Sequence, residues 1–216
     1  MTRPMTEETD WVAWHDRYEN PASTMSRRLA LVQRRVSEAL DALPAGPLRA
    51  VSMCAGQGRD LLGVLADHPR AGDVAARLVE LDEANVAWAC RRAAEIGRSD
   101  LEIVAADASD TAAYEGAVPA NLVLACGIFG NVSDSDIERT LRHLPALCAP
   151  GAFVVWTRHP KDPEMLPRID AWFVDAGFER IALDGDVELG FGVGAHRLTI
   201  DPAPYEPGVT LFTFVR

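Results

Sequence analysis

RAVSMCAGQGRD, residues 49–60, is the stretch that decides the fold. Val51, Met53 and Ala55 alternate with smaller or polar residues, as a short apolar strand does. Gly56 and Gly58 then mark a sharp bend where the backbone can approach another group with no Cβ in the way. A helix is expected from about Arg59, and its unpaired N–H groups point back at the same spot. Strand, glycine turn and helix in that order open a nucleotide-type binding fold.

Downstream the chain keeps alternating. ARLVELD (76–82) is a near-continuous apolar run ending on an acid, the pattern of a strand buried on both faces. Asn85 to Ile96 reads as a helix stopped by Gly97, and LEIVAAD (101–107) as a third strand that again ends on Asp. NLVLACGIF (121–129) is the fourth strand. Ser133 with Asp136 opens a helix whose inner face is Ile137, Leu141, Leu144 and Leu147. AFVVWTRH (152–159) is the fifth strand, followed by a helix from about Met165 to Ala176. After Gly177 the rhythm changes: ERIAL (179–183), VGAHRLTI (193–200) and VTLFTFV (209–215) read as strands without helices between them. They cannot all be parallel neighbours, so the chain is expected to end in an antiparallel hairpin. The fold class is therefore α/β, a Rossmann-like doubly wound sheet of mostly parallel strands with a reversed edge.

Upstream, residues 1–22 are polar with scattered aromatics. Ser23-Thr24 starts a helix in which Met25, Leu29, Val32, Val36, Leu40 and Leu43 recur at steps of three and four. This segment is expected to lie over the sheet, giving a helical cap or lid over 1–48 and a binding core over 49–216 within a single domain.

Composition narrows the partners. The net charge of −11 disfavours nucleic acid and anionic membrane surfaces. The four cysteines have no metal-ligand spacing, so no metal is expected, and reduced thiols in a cytoplasm are the plain reading. No apolar run reaches membrane-spanning length.

Ligands of open α/β sheets bind beyond the carboxyl ends of the strands. Reading those ends off gives Cys54-Ala55-Gly56-Gln57-Gly58, then Asp82-Glu83, Asp107-Ala108 and Cys126-Gly127. Asp82 falls about where a carboxylate accepting ribose hydroxyls belongs. Asp107 with Ala108 suits a purine, the acid for the exocyclic amine and the small residue for the ring face. A dinucleotide fingerprint wants a glycine where Leu61 stands. The acid-rich rim suits a ligand that carries cationic groups and no phosphate.

On these residues the chain resembles a class I S-adenosylmethionine-dependent methyltransferase over roughly 49–215. Of that family's acid-x-Gly-x-Gly-x-Gly turn, the last two glycines match Gly56 and Gly58, the acid falls on Ser52 and the first glycine on Cys54. The stretches CAGQGRD, VELD, CGIFGNVSD, WTRH and GVGAHR are similar to a group of bacterial small-molecule methyltransferases. The resemblance implies S-adenosyl-L-methionine as cofactor, held by Asp82 at the ribose and Asp107-Ala108 at the adenine. It also implies a small-molecule acceptor methylated at O, N or C.

Methyl transfer needs positioning and exclusion of water more than a dedicated nucleophile. Where a proton must leave the acceptor, His159 and His15 are the candidate bases, with His159 first. Phe129 and Asn131 after the fourth strand, Trp14 and Tyr18 in the cap, and His196 are the candidate acceptor contacts. A monomer or homodimer is expected. Two alternatives stay open: an NAD-type oxidoreductase, and a non-catalytic S-adenosylmethionine-binding protein on the same fold.

Overall fold

A computed structural model describes residues 20, 23–159, 162, 164–186 and 190–215. Helix α1 (Thr24–Ala42) starts at Ser23, whose hydroxyl accepts the Ser26 N–H at 3.0 Å, the N-terminal cap that the sequence signals. Arg70 closes its other end, donating to the carbonyls of Leu40 (2.5 Å) and Leu43 (2.7 Å), which the last helical turn leaves without partners. The chain then alternates through β1 (Leu48–Met53), α2 (Arg59–Leu65), β2 (Val74–Glu80), α3 (Glu83–Glu95), β3 (Glu102–Ala105) and β4 (Ala120–Ala125). It continues through α4 (Asp134–Leu147), β5 (Cys148–Arg158), α5 (Met165–Asp175), β6 (Phe178–Asp186) and β7 (Phe191–Leu198).

These strands form one seven-stranded sheet in the order β3-β2-β1-β4-β5-β7-β6. The first five are parallel, and β7 lies antiparallel between β5 and β6. This is the expected α/β fold with its reversed edge. The chain leaves β1 toward β2 on one side and reaches β4 on the other, so a crevice opens at the carboxyl ends of β1 and β4.

Each sheet face has its own core because successive strand residues point opposite ways. Leu78, Leu122, Leu124, Val155 and Val193 face a layer made by α1, α2 and α3. Val51, Met53, Val123, Val154 and Trp156 face α4 and α5. The helix from Thr24 is thus a full member of one covering layer, packed on α2 and on β5 and β7. Whatever residues 1–19 add to a cap lies outside the described residues.

Two expectations need correction. Between β3 and β4 the chain makes only a single 3-10 turn, Thr111–Tyr114, where a full βα repeat would carry a helix. Gly116 and Pro119 interrupt the later part of this segment, which forms no longer helix. The stretch 209–215 is not a strand of the hairpin, which β6 and β7 make alone. β7 already has a neighbour on each side, and Pro202, Pro204 and Pro207 carry the chain away from the sheet.

His196 on β7 is wholly buried, stacked on Phe173 of α5 with ring centres 4.2 Å apart. The Trp156 Nε1–H donates to its Nδ1 at 3.1 Å, so Nε2 carries the proton and donates to the Asp170 Oδ1 at 3.0 Å. Burial lowers its pKa below the ordinary histidine value, with Asp170 opposing the shift. The neutral ring therefore stabilises the fold above about pH 6.5, and that contribution is lost as pH falls through the depressed folded pKa. Urea unfolding followed from pH 7.5 to 5 should show stability falling on the acid side, and His196→Gln should flatten that slope.

Candidate functional site

The crevice at the carboxyl ends of the strands is a cleft of about 970 Å³. Its floor is the turn between β1 and α2. Cys54, Gly56 and Gly58 all take left-handed backbone angles, with φ of 49°, 55° and 64°. Cys54 is the one described residue other than glycine with positive φ, a conformation that costs a side-chain-bearing residue about 1–2 kcal/mol. Gly58 is fixed by packing as well. A Cβ there would come within 2.5 Å of Leu78 Cδ2, so helix and sheet close up only over a glycine.

One carboxylate holds this turn in place. Glu80, the last residue of β2, accepts the Gly56 N–H on Oε2 at 2.7 Å and the Asp82 N–H on Oε1 at 2.9 Å. Asp82, the acid that the sequence reading puts at the ribose, stands at the N-terminus of α3, where its Oδ1 accepts the N–H groups of Ala84 (2.9 Å) and Asn85 (3.0 Å). It lines the cleft, and its Oδ1 caps the helix. The acid at the end of β2 is Glu80, and Asp82 is the cap of the helix that follows.

The remaining tips converge as the sequence suggested. Ala55, Asp107, Ala108, Cys126 and Gly127 line the cleft beside Cys54 and Gly56. Leu81, 71% exposed, lines it from the β2 side as an apolar patch on a polar rim. Glu83 is exposed on the first turn of α3 and does not line it. Burial pushes the Cys54 thiol well up, with Glu80 and Asp107 adding to the shift, and burial likewise raises Cys126. Both thiols are protonated at neutral pH and are poor nucleophiles. Asp60, in the first turn of α2, accepts the Leu61 N–H on Oδ1 at 2.8 Å; burial raises its pKa, opposed by that N–H and by the Arg28 charge.

On the β4–β5 side, His159 and Asn131 line the cleft. Asn131 Nδ2 donates to the Gly127 carbonyl at 2.8 Å, the Gly127 N–H donates to Thr157 Oγ1 at 2.8 Å, and Arg158 Nη1 donates to the Phe129 carbonyl. Phe129 itself is fully buried against Trp156, so it shapes the loop from behind and offers no surface to a ligand. His196 is corrected too: it is locked between sheet and α5, away from the cleft. His15, Trp14 and Tyr18 lie outside the described residues.

Sequence reading missed one wall altogether. Thr210, Phe212, Thr213 and Phe214 line the cleft because the chain after β7 returns across the strand ends. The Leu211 N–H donates to the Ser109 carbonyl at 2.7 Å and the Thr213 N–H to Asp136 Oδ2 at 2.9 Å. The Val215 N–H donates to the Asn131 carbonyl at 2.9 Å. Leu211 and Phe212 are wholly buried beneath it. Alternation of apolar residues is the signature of a strand; here the buried pair packs on α4 without a ladder, and only isolated bridges form, at Thr210 with Asp110 and Phe214 with Val132.

Among the described residues no group of three or more histidine, cysteine or acidic side chains could hold a metal, and no helix is long and apolar enough to cross a membrane. The family described as "Putative methyltransferase" matches residues 24–171, more than half of the sequence. The chain belongs to that family. The match begins at α1, so the helix on the sheet is part of what the family shares. No curated protein matches the chain in sequence. Among solved structures, magnesium protoporphyrin IX methyltransferase from Synechocystis PCC 6803 with bound SAM is similar at 12% identity and a TM-score of 0.65, covering 89% of this chain and 92% of that one. An O-methyltransferase family protein from Burkholderia thailandensis is similar at 14% identity and a TM-score of 0.59, covering 88% and 69%. Ribosomal protein L11 methylase from Lactobacillus delbrueckii subsp. bulgaricus is similar at 11% identity and a TM-score of 0.56, covering 79% and 80%. At such identities the likeness is one of fold, and the printed names span different acceptors.

Phe212→Ala should cost about 3–5 kcal/mol of unfolding free energy in a urea titration, the range for a buried aromatic. A loosely attached tail would show almost no change.

Proposed function

We propose that this protein transfers a methyl group from S-adenosylmethionine to an oxygen, nitrogen or carbon atom of a small-molecule acceptor. The observation that carries the reading is the Glu80 carboxylate bound to the Gly56 N–H at 2.7 Å, which brings an acid and the glycine turn together on one cleft wall. The donor set fits the cofactor. Glu80, Asp82 and Asp107 give the rim negative charge suited to a cationic ligand. The nearby Arg59 guanidinium is directed to Gln57 Oε1 at 2.7 Å and lies over the Trp88 ring at 4.6 Å, an arrangement unlike a phosphate cradle.

When bound, S-adenosylmethionine supplies an electrophilic methyl group on a sulfonium. The chain's own part is to orient and to dry the site. Glu80 accepts from the ribose hydroxyls, Asp107 accepts from the exocyclic amine of adenine, and Ala108 and Leu81 offer apolar contact to its ring. Ala55 and Gly56 let the backbone approach, with Cys126 and Gly127 bounding the reacting end. The acceptor enters from the side of Asn131, His159 and the Phe214 wall, with Trp14, Tyr18 and His15 of the N-terminal segment as further candidates. His159 follows β5 directly and is the group we assign to take a proton from the acceptor. The net charge of −11 supports an acceptor other than nucleic acid, and a cytoplasmic setting fits the unpaired cysteines.

Calorimetry with S-adenosylhomocysteine tests the acid assignment. Glu80→Ala should abolish measurable binding. Asp82→Ala should cost about 1 kcal/mol of stability through the lost cap while binding persists. The opposite pattern would return the role to Asp82. His159→Ala should lower kcat about 10²–10⁴-fold with an unchanged Kd for S-adenosylhomocysteine; an unchanged kcat would remove it from the reaction.

A further inference from the structure

One side chain in the cleft is buried at a cost that nothing among the described residues repays. Asn85 stands in the first turn of α3, on the stripe that continues with Ala89 and Ala93 toward the sheet. It is only 2% exposed and lines the cleft. Its Oδ1 has no hydrogen-bond partner among the described residues. An amide oxygen removed from water without a partner typically costs about 1–3 kcal/mol, whereas a leucine of similar shape at that position would cost nothing of the kind. Its neighbours along the same helical stripe are small and apolar, so packing does not call for a polar group there.

We propose that Asn85 is a cofactor-positioning residue: its amide completes the hydrogen bonding of the sugar diol that Glu80 accepts from. This rests on the cofactor reading above. Backbone contacts tie the start of α3, where Asn85 lines the cleft, to the tip of β2. Asn85 N–H bonds to Asp82 Oδ1 at 3.0 Å, Asp82 N–H to Glu80 Oε1 at 2.9 Å, and Gly56 N–H to Glu80 Oε2 at 2.7 Å. Glu80 is an acceptor only, and each of its oxygens already takes one backbone N–H. A hydroxyl that donates to it still has lone pairs to fill, and the second hydroxyl of a diol still has a proton to place. A primary amide offers both an N–H donor and a carbonyl acceptor, which a second carboxylate would not. A carboxylate there would also repel Glu80.

The test uses the full chain, calorimetry, and three ligands: S-adenosylhomocysteine and its 2′-deoxy and 3′-deoxy analogues. Asn85→Leu should keep or raise the thermal midpoint of the ligand-free protein, because an unpartnered buried amide is replaced by an apolar side chain of similar volume. The same variant should bind S-adenosylhomocysteine roughly tenfold more weakly, the loss of about one hydrogen bond. That loss should shrink to near nothing for at least one deoxy analogue, since the missing hydroxyl is the partner. Asn85→Ala provides the same comparison if leucine does not fit. Unchanged affinity in a folded variant overturns the proposal, and so does an equal loss for all three ligands. Absence of binding heat from the unaltered protein would instead bring down the cofactor reading and this inference with it.

Discussion

A carboxylate that accepts backbone N–H groups from two separate loops fixes the distance between them. Glu80 does this for the glycine turn after β1 and for the start of α3, through Gly56 and Asp82. The two parallel strands set the spacing of their tips, Met53 opposite Val79, and Glu80 transmits that spacing to the loops above. The Ala55 N–H adds a further tie to the Val79 carbonyl at 2.9 Å. Without these links, a turn made of three left-handed residues would have many other conformations open to it. The site is thus an extension of the sheet's register, and strain at Cys54 is tolerated because the surrounding bonds determine its position.

The core explains why the cleft keeps its shape. Three helices on one face and two on the other bury both sides of the central strands, so the tips cannot move relative to one another without disturbing close-packed side chains. The edge is secured differently. Trp156, His196 and Phe173 stack through the β5–β7 pair to α5, with Asp170 closing the polar end. Gly194 opposite Trp156 leaves room for the indole, since a Cβ there would lie 2.2 Å from the ring.

Much of the fold was legible because it rests on local signals. Alternation and apolar runs gave the strands from Leu48 to Arg158; Ser23 and Ser133 marked helix starts that do carry caps. The site was legible wherever a strand tip faces the cleft, as at Gly56, Asp107 and Cys126. It was ambiguous where two acids compete for one description: Glu80 and Asp82 are two residues apart, and only the strand's end at Glu80 and the cap geometry at Asp82 separate them. His196 misled for a related reason, since a histidine in a sequence gives no sign of whether its ring meets solvent or a phenylalanine. The tail was illegible because what makes Leu211 and Phe212 buried is α4, more than sixty residues earlier in the chain, through Thr140 and Arg139.

The tail's bonding also links regions that the strand order keeps apart. It grips Ser109 and Thr111 on the side where adenine is proposed to lie, and Asn131 and Asp136 on the side of the proposed acceptor. One packed segment thus walls both sides of the cleft, and by linkage any change in affinity that a guest on one side causes at the other is matched by an equal change in the reverse direction.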